Sequence, residues 1–568
     1  MLGISVTDWS VIVFYLLGIT VIGSLAAKKV TSSASLFMGE RKFGKAMMVF
    51  FGFGSGTHSD QAVSVAAKTY AVGASGIWYQ WLWLFVTPFF WIITPVFRRM
   101  RAITTADFFK IRYNRSVALL FALVGCLQLM VNTGVMLKGA GAMITAVSGG
   151  AISPVTAVWM MALMFTTYGI LGGLSAAVIT DFIQGILTII LSFLLVPFAL
   201  HAVGGIDGLR EVIADDSKFS LIAPTGITFF YIAVISLNAL FGWVAQPTSM
   251  PCSAAGKTEL EGRVGFTGGM LIKRVCTVAW VIVGMCAIGL YMGSDIEPDQ
   301  IYGLMARDLL PQIMPGLIGL FIASLLAGVM STCDVLMVTS AALFTENIYK
   351  SYVAPNMPDK HYIFVGRAAS VIVVLLGIFF AFTLESVVSG LEIFWKVSSM
   401  MAVAFWGGLF WRGATAAGAW AGTLSAFATL LFTSELQLFG WSIWDFNQSV
   451  APLLPEMMIF EGKLYLPWQM IFYTIAGMAT LVIVSIYTAR EEQSKLDKFY
   501  ECIRTPIQED EPETAPFTLP SGVEPAPRNV LLRHPDFEIP VPSALTVLGF
   551  LGTWVLVGFL VGVFFWIF

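Results

Sequence analysis

Charge is scarce in this chain. Lys, Arg, Asp and Glu make up only 12% of its 568 residues, too little to solvate the surface of a soluble core of that length. The balance of 32 basic against 35 acidic residues leaves no basic excess of the kind that tracks a phosphate backbone, so no nucleic-acid partner is expected. The six cysteines (Cys126, Cys252, Cys276, Cys286, Cys333, Cys502) show no paired spacing, which argues against a disulfide framework and for free thiols. Four scattered histidines form no Cys/His metal pattern. No serine stands in a nucleophile elbow. No basic region precedes the first apolar run, residues 8–27, and Lys28 and Lys29 follow it, so that run reads as a retained span and not as a cleaved signal peptide.

What is abundant is apolar: 57% hydrophobic residues, with 17 Trp and 45 Phe. This is the composition of an all-α polytopic membrane protein. With about 20 residues needed per span, about fourteen candidates appear, near 8–27, 46–72, 76–98, 116–147, 153–172, 175–200, 226–246, 268–294, 315–345, 362–385, 388–411, 414–434, 467–488 and 543–567. The basic clusters follow alternate spans: Lys28, Lys29, Arg41, Lys42 and Lys45; Arg98, Arg99, Arg101, Lys110, Arg112 and Arg115; Lys257 and Arg263; Lys350, Lys360 and Arg367. The positive-inside rule makes those loops cytoplasmic and places both termini of a fourteen-span chain outside. Residues 201–225 read as an external loop with a short helix. Residues 489–541 are polar and Pro-rich (EDEPETAP, LPSGVEPAP) and read as a flexible cytoplasmic linker ahead of a last span.

Several polar groups lie at hydrocarbon depth, where each needs a protein partner or a cavity. The densest is GFGSGTHSDQ, residues 52–61: its glycines weaken the helix and its polar side chains follow in an unbroken run. Asp181, next to Thr180 and a turn before Gln184, needs a cation, a proton or a donor, or else ties two helices together. In residues 324–337, SLLAGVMSTCDVLM, Gly328 lies three residues before Ser331, so its carbonyl shares a face with that hydroxyl. With Thr332 they form a neutral hard-oxygen set suited to a small alkali cation and too weakly charged for a divalent one; the alternative is that the hydroxyls only bond the preceding turn. Asp334 follows in the same turn. Gln128, Asn132 and Lys138 in the fourth span are interhelical glue or ligands. Tyr79 and Gln80 lie in an aromatic run, IWYQWLWLF.

These motifs together resemble the sodium:solute symporter family. GGLSAAVITDFIQG is similar to its fifth-core-helix signature, Ala245-Gln246-Pro247 to its GQP-type segment, LAGVMSTCDVLM followed by TENIYK to its eighth core helix and exit, and TTADFFKIRYN to its cytoplasmic T-x-x-FFxxRY-type stretch. The resemblance covers most of residues 1–490. It implies a leucine-transporter-type fold, with a ten-helix core of two inverted five-helix repeats over residues 46–411. Residues 1–45 would add a first helix and loop, 412–488 additional helices, 489–541 the linker and 542–568 the last helix. The first core helix, 46–72, would be broken, and the second broken helix, 226–246, would be interrupted around Asn238–Gly242.

By the same resemblance, co-transported sodium would lie on the Gly54 and Thr57 carbonyls with Gly328, Ser331 and Thr332. Asp181 matches an acidic residue near the sodium exit route, or near a second sodium. Asp334 and Val335 stand where that second site has serines, so Asp334 becomes a replacement ligand or a proton carrier. The solute pocket would draw on His58, Asp60, Gln61, Tyr79, Gln80, Phe241, Ala245 and Gln246. Ala245 and Pro247 depart from the sugar-transporter pattern, while the Gln-Pro pair is similar to the proline branch. The implied activity is sodium-coupled symport of a small polar organic solute (sugar, amino acid or carboxylate) into the cell by alternating access. Its partners are the solute, sodium and the lipid bilayer; oligomeric state is left open. Two competing readings are a transporter-like membrane sensor, signalling through 489–541, and an intramembrane hydrolase built on Ser55, His58, Asp60 and Asp334.

Overall fold

A computed structural model describes residues 4–27, 41–438, 441–508 and 511–568. The Lys28–Lys29 pair of the orientation argument lies outside them. The helices that frame the site are α1 (Val6–Ala27), α2 (Lys45–Gly56), α3 (Ser59–Val72), α4 (Thr87–Arg99), α5 (Arg115–Val147), α6 (Pro154–Leu194), α7 (Phe229–Trp243), α8 (Ser249–Ala254) and α9 (Glu259–Tyr291). They continue as α10 (Leu317–Ala342), which runs on as a π-helix through Val353, then α11 (Asp359–Thr383), α12 (Val387–Ser399), α13 (Ala402–Phe410), α14 (Ala416–Phe432), α15 (Leu466–Tyr487), α16 (Gln493–Arg504) and α17 (Ala544–Ile567). Among the described residues eight helical stretches are long and apolar enough to cross a membrane, and four shorter apolar helices accompany them. The broken pair α2–α3 and the segment from Trp78 to Arg99 bring the spans to about fourteen.

Residues 153–172 and 175–200 were expected as two spans, yet α6 is helical from Pro154 to Leu194. Both of its ends are tied to α5. Val158 packs on Gly141 of α5, Gly303 packs on Ala146 of the same helix, and the neighbouring Tyr302 hydroxyl donates to the Leu191 carbonyl at 3.0 Å. A straight helix would separate Val158 from Leu191 by about 50 Å, farther than these contacts span, so α6 is bent between them.

The first break falls where the glycines sit. Helix α2 ends at Gly56; Thr57 (φ −128°, ψ 106°) is extended, and His58 and Gln61 form a reciprocal cap that restarts the helix as α3. The second break lies later than expected. Asn238–Gly242 stay helical, and the interruption is Val244–Thr248. Pro247 cannot donate a helical N–H and pushes the residue before it out of the α region. The Ser249 hydroxyl then takes the freed Trp243 carbonyl at 2.7 Å. Asn238 instead joins helices: its amide oxygen accepts from Ser399 at 2.8 Å and from Tyr473 at 2.6 Å.

Residues 489–541, expected as a flexible linker, pack against the helices. On α16, Leu496, Phe499, Tyr500 and Cys502 are buried, and Phe517 stacks on Phe499. Arg412, at the end of α13, pairs with Glu538 at 2.7 Å and Asp497 at 2.6 Å. Much of the two-sign charge pattern that suggested solvation is engaged in ion pairs, as in Arg490 with Asp536 and Arg528 with Glu538. All six cysteines are free. Between α14 and α15, two hairpins form, Glu435–Leu438 with Trp441–Asp445 and Ile459–Phe460 with Lys463–Leu464.

Helix α9 approaches α2 through glycines. A Cβ on Gly265 would lie 2.4 Å from Met48 Cβ, and one on Gly269 would lie 2.5 Å from the Phe53 nitrogen and 2.6 Å from the Val49 carbonyl oxygen. Such small-residue seams let helix backbones meet where no hydrophobic driving force exists. Gly268, one residue away, would meet only a Val49 methyl at 3.3 Å. Gly269→Ala is therefore expected to lower the melting temperature of the purified protein markedly, and Gly268→Ala to leave it nearly unchanged; equal shifts would contradict the seam.

In the loop before α10, Asp299 accepts the Val387 N–H at the start of α12 at 2.8 Å. Burial holds its carboxyl up at about 6, against a usual value near 4. The folded protein then binds this proton more tightly than the unfolded chain does. The corresponding stability is full below about pH 4 and is lost as pH rises through 6. Asp299→Asn should flatten the fall in melting temperature between pH 4 and 7, by a contribution on the order of 2–3 kcal/mol.

Candidate functional site

The α2–α3 break exposes backbone that α6, α9 and α10 must satisfy. Gly54 is close to α10 because it lacks a side chain: a Cβ there would lie 2.5 Å from Ser331 Oγ and 3.3 Å from Asp181 Cγ. Thr332 Oγ1 donates to the Gly54 carbonyl at 3.2 Å, and Ser331 Oγ donates to Asp181 Oδ1 at 2.6 Å. Gly54, Ser331, Thr332 and Asp181 thus converge on one point. Gly328, one turn earlier on α10, faces the Ser59 nitrogen and Thr188 Oγ1, beside the same break. Thr57 is buried with its hydroxyl oxygen unpartnered, and the same holds for the hydroxyl of Ser59. The donors gathered here are carbonyls and hydroxyls with one carboxylate behind them, a set that fits a monovalent alkali cation.

Beside this point lies a second group of buried oxygens. Both carboxylate oxygens of Asp334, Asp181 Oδ2 and Gln184 Oε1 have no hydrogen-bond partner. Gln184 Nε2 donates to the Tyr15 hydroxyl at 3.4 Å, so α1 closes this side. Oxygens left bare in a buried setting are costly unless a cation or a proton meets them.

On the other face of the break is a cavity of about 80 Å³, whose lining includes His58, Gln61, Gln80, Asn132, Gln246, Lys273 and Arg274, walled by Trp83, Phe90, Trp243, Phe394 and Trp395. The Gly56 carbonyl, freed by the break, accepts from Lys273 Nζ at 2.5 Å and from Gln61 Nε2 at 3.3 Å. Arg274 donates to the Gln80 carbonyl at 2.9 Å. Gln80 Oε1 and Gln246 Nε2 are buried without partners.

Four of the eight residues expected around the solute therefore line this cavity: His58, Gln61, Gln80 and Gln246. Asp60 stands one layer behind, holding His58 Nδ1 at 2.9 Å and packed on Gly139 of α5. Tyr79 lies on the far side of Trp395, their rings 5.2 Å apart, with its hydroxyl on Glu392 at 2.7 Å; it lines a larger vestibule of about 580 Å³. Phe241 stacks against Trp406, and Ala245 is buried in the second break; neither reaches the central cavity. Sequence reasoning passed over Lys273 and Arg274. The signal was present: two adjacent cations inside an apolar span are costly and rarely without a task.

The two breaks face one another, with Cys252 Sγ of α8 donating to Ser55 Oγ of α2 at 3.2 Å. The profile of the sodium:solute symporter family matches residues 36–425. The chain is 24% identical over 438 residues to a sodium/glucose cotransporter of Vibrio parahaemolyticus, covering 71% of this chain and 79% of that one. It is 24% identical over 502 residues to a high-affinity proline transporter of Bacillus subtilis, covering 84% and 98%. Among solved structures it resembles a substrate-bound, outward-open sodium-coupled sialic acid symporter, with a TM-score of 0.71 at 16% identity, over 86% of this chain and 99% of that one. The protein belongs to the sodium:solute symporter family and is a sodium-coupled solute symporter, a transporter and not an enzyme, built on the leucine-transporter-type fold of two inverted five-helix repeats with additional helices.

Proposed function

We propose that the co-transported sodium is held between α2 and α10 by the carbonyls of Gly54, Thr57 and Gly328 and the hydroxyls of Ser331 and Thr332, and that the solute carries a carboxylate. The observation that supports the second half is the charge of the central cavity. Lys273 and Arg274 line it, and its lining contains no carboxylate. No acidic side chain lies within ion-pair distance of either cation among the described residues. A buried cation without a counter-ion is unstable on its own terms, so a solute carboxylate supplies the missing charge. An ammonium group would find no partner, since Asp60 is engaged by His58 and lies outside the lining. The aromatic walls suit a short carbon chain, and the solute we infer is a small organic monocarboxylate.

Coupling follows from shared backbone. The Gly54 carbonyl faces Thr332 and the Gly56 carbonyl, two residues on, faces Lys273. A cation that fixes the first also fixes the direction of the second, so each ligand strengthens the other by the same factor. Symport of one sodium with a monoanion moves no net charge; a membrane potential, worth about 2.3 kcal/mol per charge per 100 mV, drives uptake only with a second cation, for which Asp181 and Asp334 stand ready. The basic end of the bundle, with Arg98, Arg101 and Lys257, is taken as cytoplasmic.

Two measurements on reconstituted vesicles test this reading. Ser331→Ala with Thr332→Ala should abolish sodium-stimulated uptake while leaving a folded protein; unchanged sodium dependence would refute the cation site. Lys273→Met should weaken carboxylate uptake about 100-fold, the size expected for losing a charge-assisted hydrogen bond worth about 3 kcal/mol. Sodium-driven uptake of a neutral sugar that small carboxylates fail to inhibit would refute the solute class.

A further inference from the structure

Besides its two cations, the central cavity presents side-chain amides that the protein itself does not pair. Several polar groups of its wall have protein partners. Ser249 donates to the Trp243 carbonyl at 2.7 Å, Gln61 to the Gly56 carbonyl at 3.3 Å, and His58 meets Asp60 at 2.9 Å. Gln80 and Gln246 differ. Both line the cavity, and Gln80 Oε1 and Gln246 Nε2 are buried without a hydrogen-bond partner. The Gln80 residue is only 2% exposed. A buried amide costs free energy until a group within hydrogen-bond reach pairs with it.

Position decides which part of a solute these amides read. Gln80 is held against the cations by a reciprocal clamp: Arg274 Nη1 donates to the Gln80 carbonyl at 2.9 Å, and Trp81 Nε1 donates to the Arg274 carbonyl at 3.1 Å. A carboxylate on Lys273 and Arg274 therefore brings its neighbouring carbon beside Gln80. Gln246 enters from the second break, which Cys252 fastens to the first through Ser55 at 3.2 Å. Size sets a further limit. A cavity of about 80 Å³ takes roughly five to eight water-sized atoms, so one small substituent has to serve both amides.

Each amide carries a donor and an acceptor, and whichever way the two are turned, the substituent must answer with both. A hydroxyl does so, donating to an amide oxygen and accepting from an amide nitrogen. A keto oxygen only accepts. An ammonium only donates, and the cavity lining holds no carboxylate to balance it. A methyl group does neither. Resting on the carboxylate reading above, we infer that the solute is a small 2-hydroxy monocarboxylate, with Gln80 and Gln246 as the residues that select its hydroxyl.

The experiment uses the full chain in nanodiscs at saturating sodium and measures binding by isothermal titration. Its probes are L-lactate, pyruvate, propionate and L-alanine, which share a three-carbon carboxylate and differ in the 2-substituent. Lactate should bind at least about tenfold more tightly than propionate, the effect of leaving a buried amide unpaired, with pyruvate between them and alanine weakest. Gln80→Met, which keeps the length of the side chain and removes its amide, should bring the lactate-to-propionate ratio to within about threefold. If that variant fails to fold, the ratio in Gln246→Met decides in its place. Equal binding of lactate and propionate by the parent overturns the assignment, as does an undiminished ratio in the deciding variant. If Lys273→Met still weakens propionate binding in that case, the carboxylate reading stands and only the hydroxyl falls. If no carboxylate binds, or Lys273→Met binds lactate like the parent, the carboxylate reading fails and takes the hydroxyl assignment with it.

Discussion

A helix that breaks inside a membrane leaves backbone groups that water cannot reach, and that constraint organises the centre of this protein. Thr57 and His58 are extended, so the carbonyls before them lose their helical donors. Thr332 supplies one replacement at Gly54, and Lys273 with Gln61 supplies others at Gly56. Those donors come from α10, α9 and α3, which must be at van der Waals distance for the break to persist. The glycine seam between α2 and α9, and the absence of a side chain at Gly54, are what permit that approach.

The groups that satisfy the break are also those proposed to hold the cargo, and this is why coupling needs no separate device. The proposed cation on the α10 side and the proposed carboxylate on the α9 side would act on carbonyls two residues apart in one short segment. Where protein donors already occupy a carbonyl, as Thr332 does, a cation must displace or turn them, and the energy of that exchange is differential between the liganded and empty states. Differential interaction of this kind is the only source from which a ligand can shift a conformational equilibrium. Asp181 lies at the junction, bonded to Ser331 on one side and open on the other toward the bare oxygens around Asp334.

Electrostatics at the basic end follow a different logic. Arg412, Arg101 and Arg99 are each met by a carboxylate from a distant stretch of chain, Glu538, Glu511 and Glu259. The first two pairs hold the C-terminal segment against the helices, and the third joins α4 to α9. They also explain why a stretch rich in Pro and in charges of both signs, a composition that suggested flexibility, is packed: its charges have specific partners, and Phe517 and Phe499 give it an apolar anchor.

Much of this was legible in the chain itself. The length and spacing of the apolar runs determined the spans, because hydrocarbon thickness admits few alternatives. The run of glycines and polar residues at 52–61 determined where the first helix breaks, and the spacing of Gly328, Ser331 and Thr332 admitted two readings, a hard-oxygen face or hydroxyls bonded to the preceding turn. Tertiary structure decided the rest. The second break moved to Pro247, because a proline dictates local geometry more strongly than the preceding Asn and Gly do. Of the expected solute residues, Tyr79, Phe241 and Ala245 were carried away from the central cavity and Lys273 and Arg274 were brought to it. Which side of a buried helix faces a cavity depends on the helices packed around it, and no periodicity within one strand of sequence records that.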